Sequence, residues 1–232
     1  VRREAAALAT AGHDVMVLAV ESDDLPRREQ VEGFTLLRVP LHARSFPSSA
    51  VSFAIKYMEY FLQTLRPALA WRADVYHAHN ANTLLVAATA ARLMRSKLVY
   101  DAHEFEAGRD WSKSRVPTIF RQMWTLPEHL SIRRADAVIT VSPSIADGLA
   151  ERYEMRRPRV VRNIPDRGTT SRPIDLRSQL GLGEDTGLIV YQGNVARDRG
   201  LEEMIQAVAL VDKAALIIVG DGPLLKSLRQ EV

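Results

Sequence analysis

Six histidines, no cysteine and a few glycine-bounded loops hold the chemistry open to this 232-residue chain. The richest stretch runs Leu188-Ile-Val-Tyr-Gln-Gly-Asn-Val-Ala-Arg-Asp-Arg-Gly-Leu-Glu: a buried strand, a loop with Gly193, Asn194, Arg197 and Arg199, then an amphipathic helix. Loop amides with arginines at the start of a helix are a means of holding diphosphates. The competing reading is a plain strand-to-helix turn with solvated arginines. A second strand and glycine loop, with Gly220, Asp221 and Gly222, follows at the spacing of the next βα unit. Two such loops in succession point to a nucleotide site.

His103, in Tyr100-Asp-Ala-His-Glu, follows the apolar run that ends at Tyr100, which puts it at the C-terminal edge of a parallel strand. Open α/β sheets place ligands at that edge, although a lone histidine there also serves structure. Glu104 beside it either binds a hydroxyl or caps the next helix. His77 and His79 alternate on an extended segment and share a face, a spacing that suits a metal. Without a cysteine or a fixed acidic partner they are read as packing and hydrogen-bonding groups, and no metal is expected. Asn80 reads first as a cap for the following helix and second as an acceptor ligand. Ser142, ahead of Pro143, has the form of an N-cap with proline at the first helical position.

These residues need strands and helices in alternation to position them, and the apolar pattern supplies both. Runs at 15–20, 35–39, 75–78, 98–100, 137–141, 159–162, 188–192 and 215–219 have strand length and are rich in Val, Ile and Leu. Helical periods fill 51–65, 82–95, 118–133, 143–152 and 201–211, and the first residues form a helix that stops at Gly12. The repetition implies an α/β fold: a Rossmann-like open parallel sheet covered on both faces. Over 51–65, Val51, Ala54, Ile55, Met58, Phe61, Leu62 and Leu65 form the expected core stripe, with Phe53, Tyr57 and Tyr60 as a second, aromatic stripe. A loop-rich stretch after Asn163 marks a domain boundary, giving an N-terminal domain over 1–163 and the start of a second over 164–232. The first helix lacks a cap and the last stops short, so the chain is expected to be a fragment.

The charge balance excludes some partners. Thirty-one basic and 28 acidic residues leave a net charge of +3 with no dense basic tract, which argues against nucleic acid. No cysteine means no disulfide, thiolate zinc site or iron–sulfur cluster, which fits a cytoplasmic address. No stretch approaches the roughly 20 apolar residues of a membrane span, and the first residues lack the form of a signal peptide. No Gly-x-Gly-x-x-Gly follows a strand, which argues against a dinucleotide enzyme.

Taken in order, the opening Val1-Arg-Arg-Glu-Ala-Ala-Ala-Leu-Ala-Thr-Ala-Gly-His-Asp-Val, then Ala73-Asp-Val-Tyr-His-Ala-His-Asn, Tyr100-Asp-Ala-His-Glu, Ala135-Asp-Ala-Val-Ile-Thr-Val-Ser, Val160-Val-Arg-Asn-Ile-Pro-Asp and the two glycine loops resemble the family 4 retaining glycosyltransferases of the GT-B fold. The resemblance covers most of the chain and implies an acceptor-side domain followed by the first part of a nucleotide-sugar-binding domain. It places Arg199 where the family has a phosphate-contacting Lys, and Asn194 where many members have an Arg, with Arg197 near enough to substitute. Gly193 and the loop Gly220-Asp221-Gly222 would line the nucleotide. His103 would face the reacting sugar and orient or polarise it, with His79, Asn80, Glu104 and Ser142 on the acceptor side. No protein nucleophile and no cofactor is implied, since the donor's own phosphate receives the acceptor proton on the same face. The family's Glu-x7-Glu motif would follow Val232, and its first glycine loop would precede Val1.

The implied reaction moves a sugar from a UDP- or GDP-linked donor to a glycan, lipid-linked or small-molecule acceptor in bacterial polysaccharide or glycoconjugate synthesis. The implied place is the cytoplasm, with the inner face of the plasma membrane as a second location; the aromatic stripe of 51–65 reads first as packing against a neighbouring helix and second as a surface that meets a lipid-linked acceptor or the bilayer. The rival readings are a non-catalytic binding or scaffold protein on the same fold, and a nucleotide-sugar epimerase or phosphorylase.

Overall fold

The computed structural model describes residues 1–22, 24–47, 49–105, 125–126, 128–164, 174–197 and 199–229. The chain divides into two compact units, Val1–Ile164 and Pro165–Val232.

The first unit begins with helix α1 (Arg2–Thr10), stopped by Gly12 in a left-handed conformation at φ +90°. The amide of His13 reaches back to the Leu8 carbonyl and closes the helix end. Strands β1 (Met16–Val20), β2 (Arg28–Val31) and β3 (Phe34–Val39) follow. β1 and β3 pair in parallel, while β2 pairs antiparallel with β3. The β2–β3 hairpin turns on Glu32 and Gly33, both at positive φ, which matches the right-handed twist of the strands it joins. The sequence reading leaves β2 out because Arg-Glu-Gln-Val is short and mostly polar, as an edge strand is.

Helix α2 (Ala50–Trp71), β4 (Val75–His79), α3 (Ala81–Met94) and β5 (Lys97–Ala102) form the next βαβ block. β6 (Ala137–Thr140), α4 (Pro143–Tyr153) and the two-residue β7 (Arg159–Val160) complete the unit. β4, β5, β6 and β7 form a wholly parallel four-stranded sheet in that order. The strands of this unit thus lie in two sheets, because β1 pairs with β3 and β4 with β5, with no ladder joining β1 to β4. The core is built on Tyr76, Ala78, Leu84, Leu98, Tyr100, Ile132, Leu149 and Tyr153. Part of the expected helix over 118–133 lies outside the described residues; 128–131 are helical and end in the 3₁₀ turn Ile132–Arg134.

α2 corrects one expectation. Val51, Ala54, Ile55, Met58 and Leu62 of the expected core stripe are exposed, while Tyr57 and Tyr60 turn inward with Thr64 and Ala68. Tyr57 donates its hydroxyl to the Asn82 carbonyl at 3.3 Å, joining α2 to α3. With apolar residues on both stripes, periodicity cannot choose the buried one; the neighbouring helix does.

The second unit holds α5 (Leu176–Leu180), capped by Asp175, then β8 (Gly187–Gln192), α6 (Leu201–Val208), β9 (Ala214–Val219) and α7 (Leu225–Leu228). β8 and β9 pair in parallel, and the small core consists of Val195, Leu201, Leu224 and Leu228.

Candidate functional site

Because β4, β5 and β6 are parallel, their C-terminal ends share one edge, and there the side chains of the first unit converge. Asp101, next to last in β5, stands opposite His79 in the register with β4 and is 3% exposed. Its Oδ2 lies 3.1 Å from His79 Nδ1 and 2.6 Å from His103 Nε2. The two imidazoles meet edge to face with centroids 5.7 Å apart. Burial pushes the Asp101 carboxyl up, but the hydrogen bonds from His79 and His103 outweigh it and hold the group below the usual carboxylate range. Asp101 therefore remains ionised and fixes the ring orientation of His103. With Nε2 committed to the carboxylate, Nδ1 is the nitrogen left to meet a ligand, in the arrangement by which a buried Asp orients a working histidine.

Asn80 supports this cluster at a conformational cost. Its φ of 67° and ψ of 164° fall in a region nearly reserved for glycine, a strain of about 1–3 kcal/mol. Its amide donates to the Asp101 carbonyl at 2.9 Å, and its Oδ1 accepts from the His103 amide at 3.2 Å. Asn80 holds the N-cap position of α3 yet makes no side-chain cap, so the capping expected of it is replaced by a bond to His103.

His77 stacks on His79 with centroids 4.4 Å apart, and Glu4 of α1 brings Oε2 to 3.7 Å from His79 Nδ1. Burial, then the neighbouring His79, pushes the His77 imidazole below its ordinary value. Ser142 lies just past the end of β6 on the same edge, but its hydroxyl accepts from the Ile145 amide at 3.3 Å and caps α4. Glu104 is exposed beside His103. A cavity of about 380 Å³ lined by Arg72, Asp74, Arg95 and Lys97 opens at the other end of β4 and β5, away from these groups.

Asp101 is the residue that sequence reasoning missed. The signal was present, since positions 101 and 103 are two apart in an extended segment. Its pairing with His79, 22 residues away, comes only from strand register.

In the second unit, the loops after β8 and β9 touch through their backbones. The Gly193 amide donates to Val219, Val195 to Asp221 and Leu224 to Val195, at 3.0, 2.9 and 3.1 Å. A Cβ on Gly220 would stand 1.9 Å from the Gly193 carbonyl, and one on Gly222 would stand 2.3 Å from the Val195 carbonyl. Only glycine permits that approach. Asp221 Oδ1 accepts from the Gly222 amide at 2.7 Å, and the Asn194 carbonyl accepts from the Tyr191 hydroxyl at 2.9 Å. Arg197 and Arg199 are exposed and form no salt bridge among the described residues. The structure thus groups Gly193, Asn194, Gly220, Asp221 and Gly222 in one unit and His79, Asn80 and His103 in the other.

An uncharacterized glycosyltransferase of Methanocaldococcus jannaschii is 27% identical over 231 residues, covering 91% of this chain and 55% of that protein. Sucrose-phosphate synthase from Thermosynechococcus elongatus matches 99% of this chain and 60% of its own at 17% identity and a TM-score of 0.72. Anabaena HepE, solved in complex with UDP-glucose, matches 93% of this chain and 65% of its own at 18% identity and a TM-score of 0.58. At these identities the two structures speak for the fold. The chain spans about half the length of the curated relatives it matches. Residues 1–164, the whole of the first unit, match the glycosyl transferase 4-like domain, and the chain belongs to that family.

Proposed function

We propose that the chain forms the acceptor-side domain and the first part of the donor-binding domain of a retaining glycosyltransferase. The domain boundary is placed after Asn163, one residue before the division between the two compact units. The donor is a UDP- or GDP-linked sugar, and the acceptor is a glycan, a lipid-linked sugar or a small molecule. The observation that carries the reading is the Asp101–His103 pair on the C-terminal edge of the sheet, within a domain of the glycosyl transferase 4-like family.

In this reading the acceptor oxygen attacks the anomeric carbon as the bond from that carbon to the diphosphate breaks. The acceptor proton passes to the departing phosphate oxygen. His103, held by Asp101 and by Asn80, presents Nδ1 to a sugar hydroxyl and fixes the angle of approach. His79, Glu104 and Ser142 flank the acceptor. Arg197 and Arg199, with the amides around Gly193 and the loop 220–222, balance the charge of the diphosphate. The exposed stripe Val51, Ile55, Met58 and Leu62 favours an acceptor or a surface of lipid character. The stripe supports peripheral attachment at a membrane, assigned in this reading to the cytoplasmic side of the plasma membrane; no helix among the described residues is long and apolar enough to cross a membrane.

The deciding experiment incubates the natural gene product with UDP- and GDP-sugars and follows release of the nucleoside diphosphate. One donor should be hydrolysed slowly. His103→Ala should lower turnover on the order of 100-fold while leaving donor affinity within a few-fold. Arg199→Ala should instead weaken donor binding. Wild-type turnover in His103→Ala would remove the histidine from the mechanism, and no hydrolysis of any donor would leave a binding role in its place.

A further inference from the structure

We propose that His77, His79 and Asp101 form a binding site for one divalent transition-metal ion of the zinc class. His77 and His79 project from the same face of β4, and Asp101 reaches them from the adjacent strand in register with His79. One donor atom from each of the three lies within 4.8 Å of the others. Metal–nitrogen and metal–oxygen bonds of about 2.0–2.2 Å bring tetrahedral ligand atoms to roughly 3.3–3.6 Å of one another, so the widest-set of these atoms close by about 1 Å on binding. The acidic partner that sequence reasoning could not place beside the two histidines is therefore present, fixed by the sheet.

Two further features favour an ion over plain packing. His77 Nε2 is a buried nitrogen without a hydrogen-bond partner among the described residues, an arrangement that costs stability unless something binds it. Asp101 carries its charge at 3% exposure, bonded to the His79 and His103 imidazoles. A cation held between these groups meets both needs. Two imidazole nitrogens and one carboxylate form a set suited to Zn²⁺, Ni²⁺ or Cu²⁺ and unsuited to Ca²⁺ or Mg²⁺, which take oxygen ligands. Three protein ligands leave a coordination position open. The ion and His103 both draw on the Asp101 carboxylate, whose Oδ2 lies 2.6 Å from His103 Nε2, so the two compete for its charge. If His103 acts as proposed above, a bound ion lowers turnover; binding itself stands apart from that reading.

The test is calorimetric titration of the chelator-treated chain with ZnCl₂ and, separately, MgCl₂. One Zn²⁺ per chain should bind and Mg²⁺ should not. His77→Gln and His79→Gln should each weaken Zn²⁺ at least tenfold, whereas His13→Gln, at an exposed histidine outside the cluster, should not. Melting of each variant without metal reports whether it folds. Should His77→Gln not fold, Co²⁺ on the unaltered chain decides: intense visible bands with two shifted imidazole NH signals are expected, and the pale spectrum of hydrated Co²⁺ overturns the site. Absence of stoichiometric Zn²⁺ binding, or unchanged binding in a folded His77→Gln, overturns it equally.

Discussion

Asn80 occupies backbone space that suits glycine, and the bond it makes with His103 is what the strain maintains. In regular structure alanine is more stabilising than glycine by about 0.5–1 kcal/mol. At position 80 the order should invert, with Asn80→Gly more stable than Asn80→Ala by about 1–3 kcal/mol. Both variants should lose the pin on His103. Urea melts of the pair settle the matter, and a more stable Ala variant would show that the strain is absent. Glu128 poses a second residue-scale question. It is fully buried and accepts from the Tyr100 hydroxyl at 2.6 Å and the Tyr153 hydroxyl at 2.7 Å. Burial pushes its carboxyl above the ordinary 4.5, and the two tyrosine bonds only partly oppose the shift. A raised value in the fold means stability that is complete below about pH 4.5 and lost as pH rises through the folded value. Asp101 has the opposite sign: its contribution is present above the ordinary 3.8 and lost as pH falls below it. Glu128→Gln should flatten the fall in stability above pH 4.5. Melting curves of wild type and variant that stay parallel across that range would contradict the assignment.

Among the elements, the loops after β8 and β9 are the most exacting. Gly220→Ala drives a Cβ into the Gly193 carbonyl, a backbone atom that cannot swing aside. A cost of about 1–3 kcal/mol is expected for that overpacking. Gly183→Ala meets only the end of the Asp185 side chain and should cost far less. Thermal melts followed by circular dichroism separate the two, and equal losses would refute the close approach of the loops. α2 makes a different claim, since its outward stripe of Val51, Ile55, Met58 and Leu62 lies 45–70% exposed. If the stripe attaches to a membrane as proposed, the protein should sediment with anionic vesicles, and replacing Met58 and Leu62 by Ser should abolish that while leaving the melting temperature within a few degrees; no sedimentation of the unaltered protein would end the membrane reading. Vesicle binding that survives the replacement would assign it to another surface.

Across the whole molecule, two disjoint cores imply unequal stability. The first unit buries a broad cluster from Ala68 to Tyr153, whereas the second rests on Val195, Leu201, Leu224 and Leu228 and leaves Ile189, Val190 and Leu210 exposed. A chain ending at Ile164 should therefore retain the main cooperative transition with little change in midpoint, because small cores contribute least. Loss of that transition on truncation would mean that the two units fold as one. The sequence by itself determined the α/β alternation, the helix stop at Gly12, the helix start at Ser142-Pro143 and the glycine loops, because apolar period, caps and absent Cβ atoms act over a few residues. It also held the ordered motifs by which the family is recognisable. Tertiary structure alone decided which stripe of α2 is buried, that β2 returns antiparallel along β3, and that Asp101 joins His79 and His103. Each of these depends on contacts between residues distant in the chain, such as the register that sets position 79 against 101. Local pattern carries no record of such partners, because burial and strand pairing are fixed by the neighbouring element and not by the segment itself.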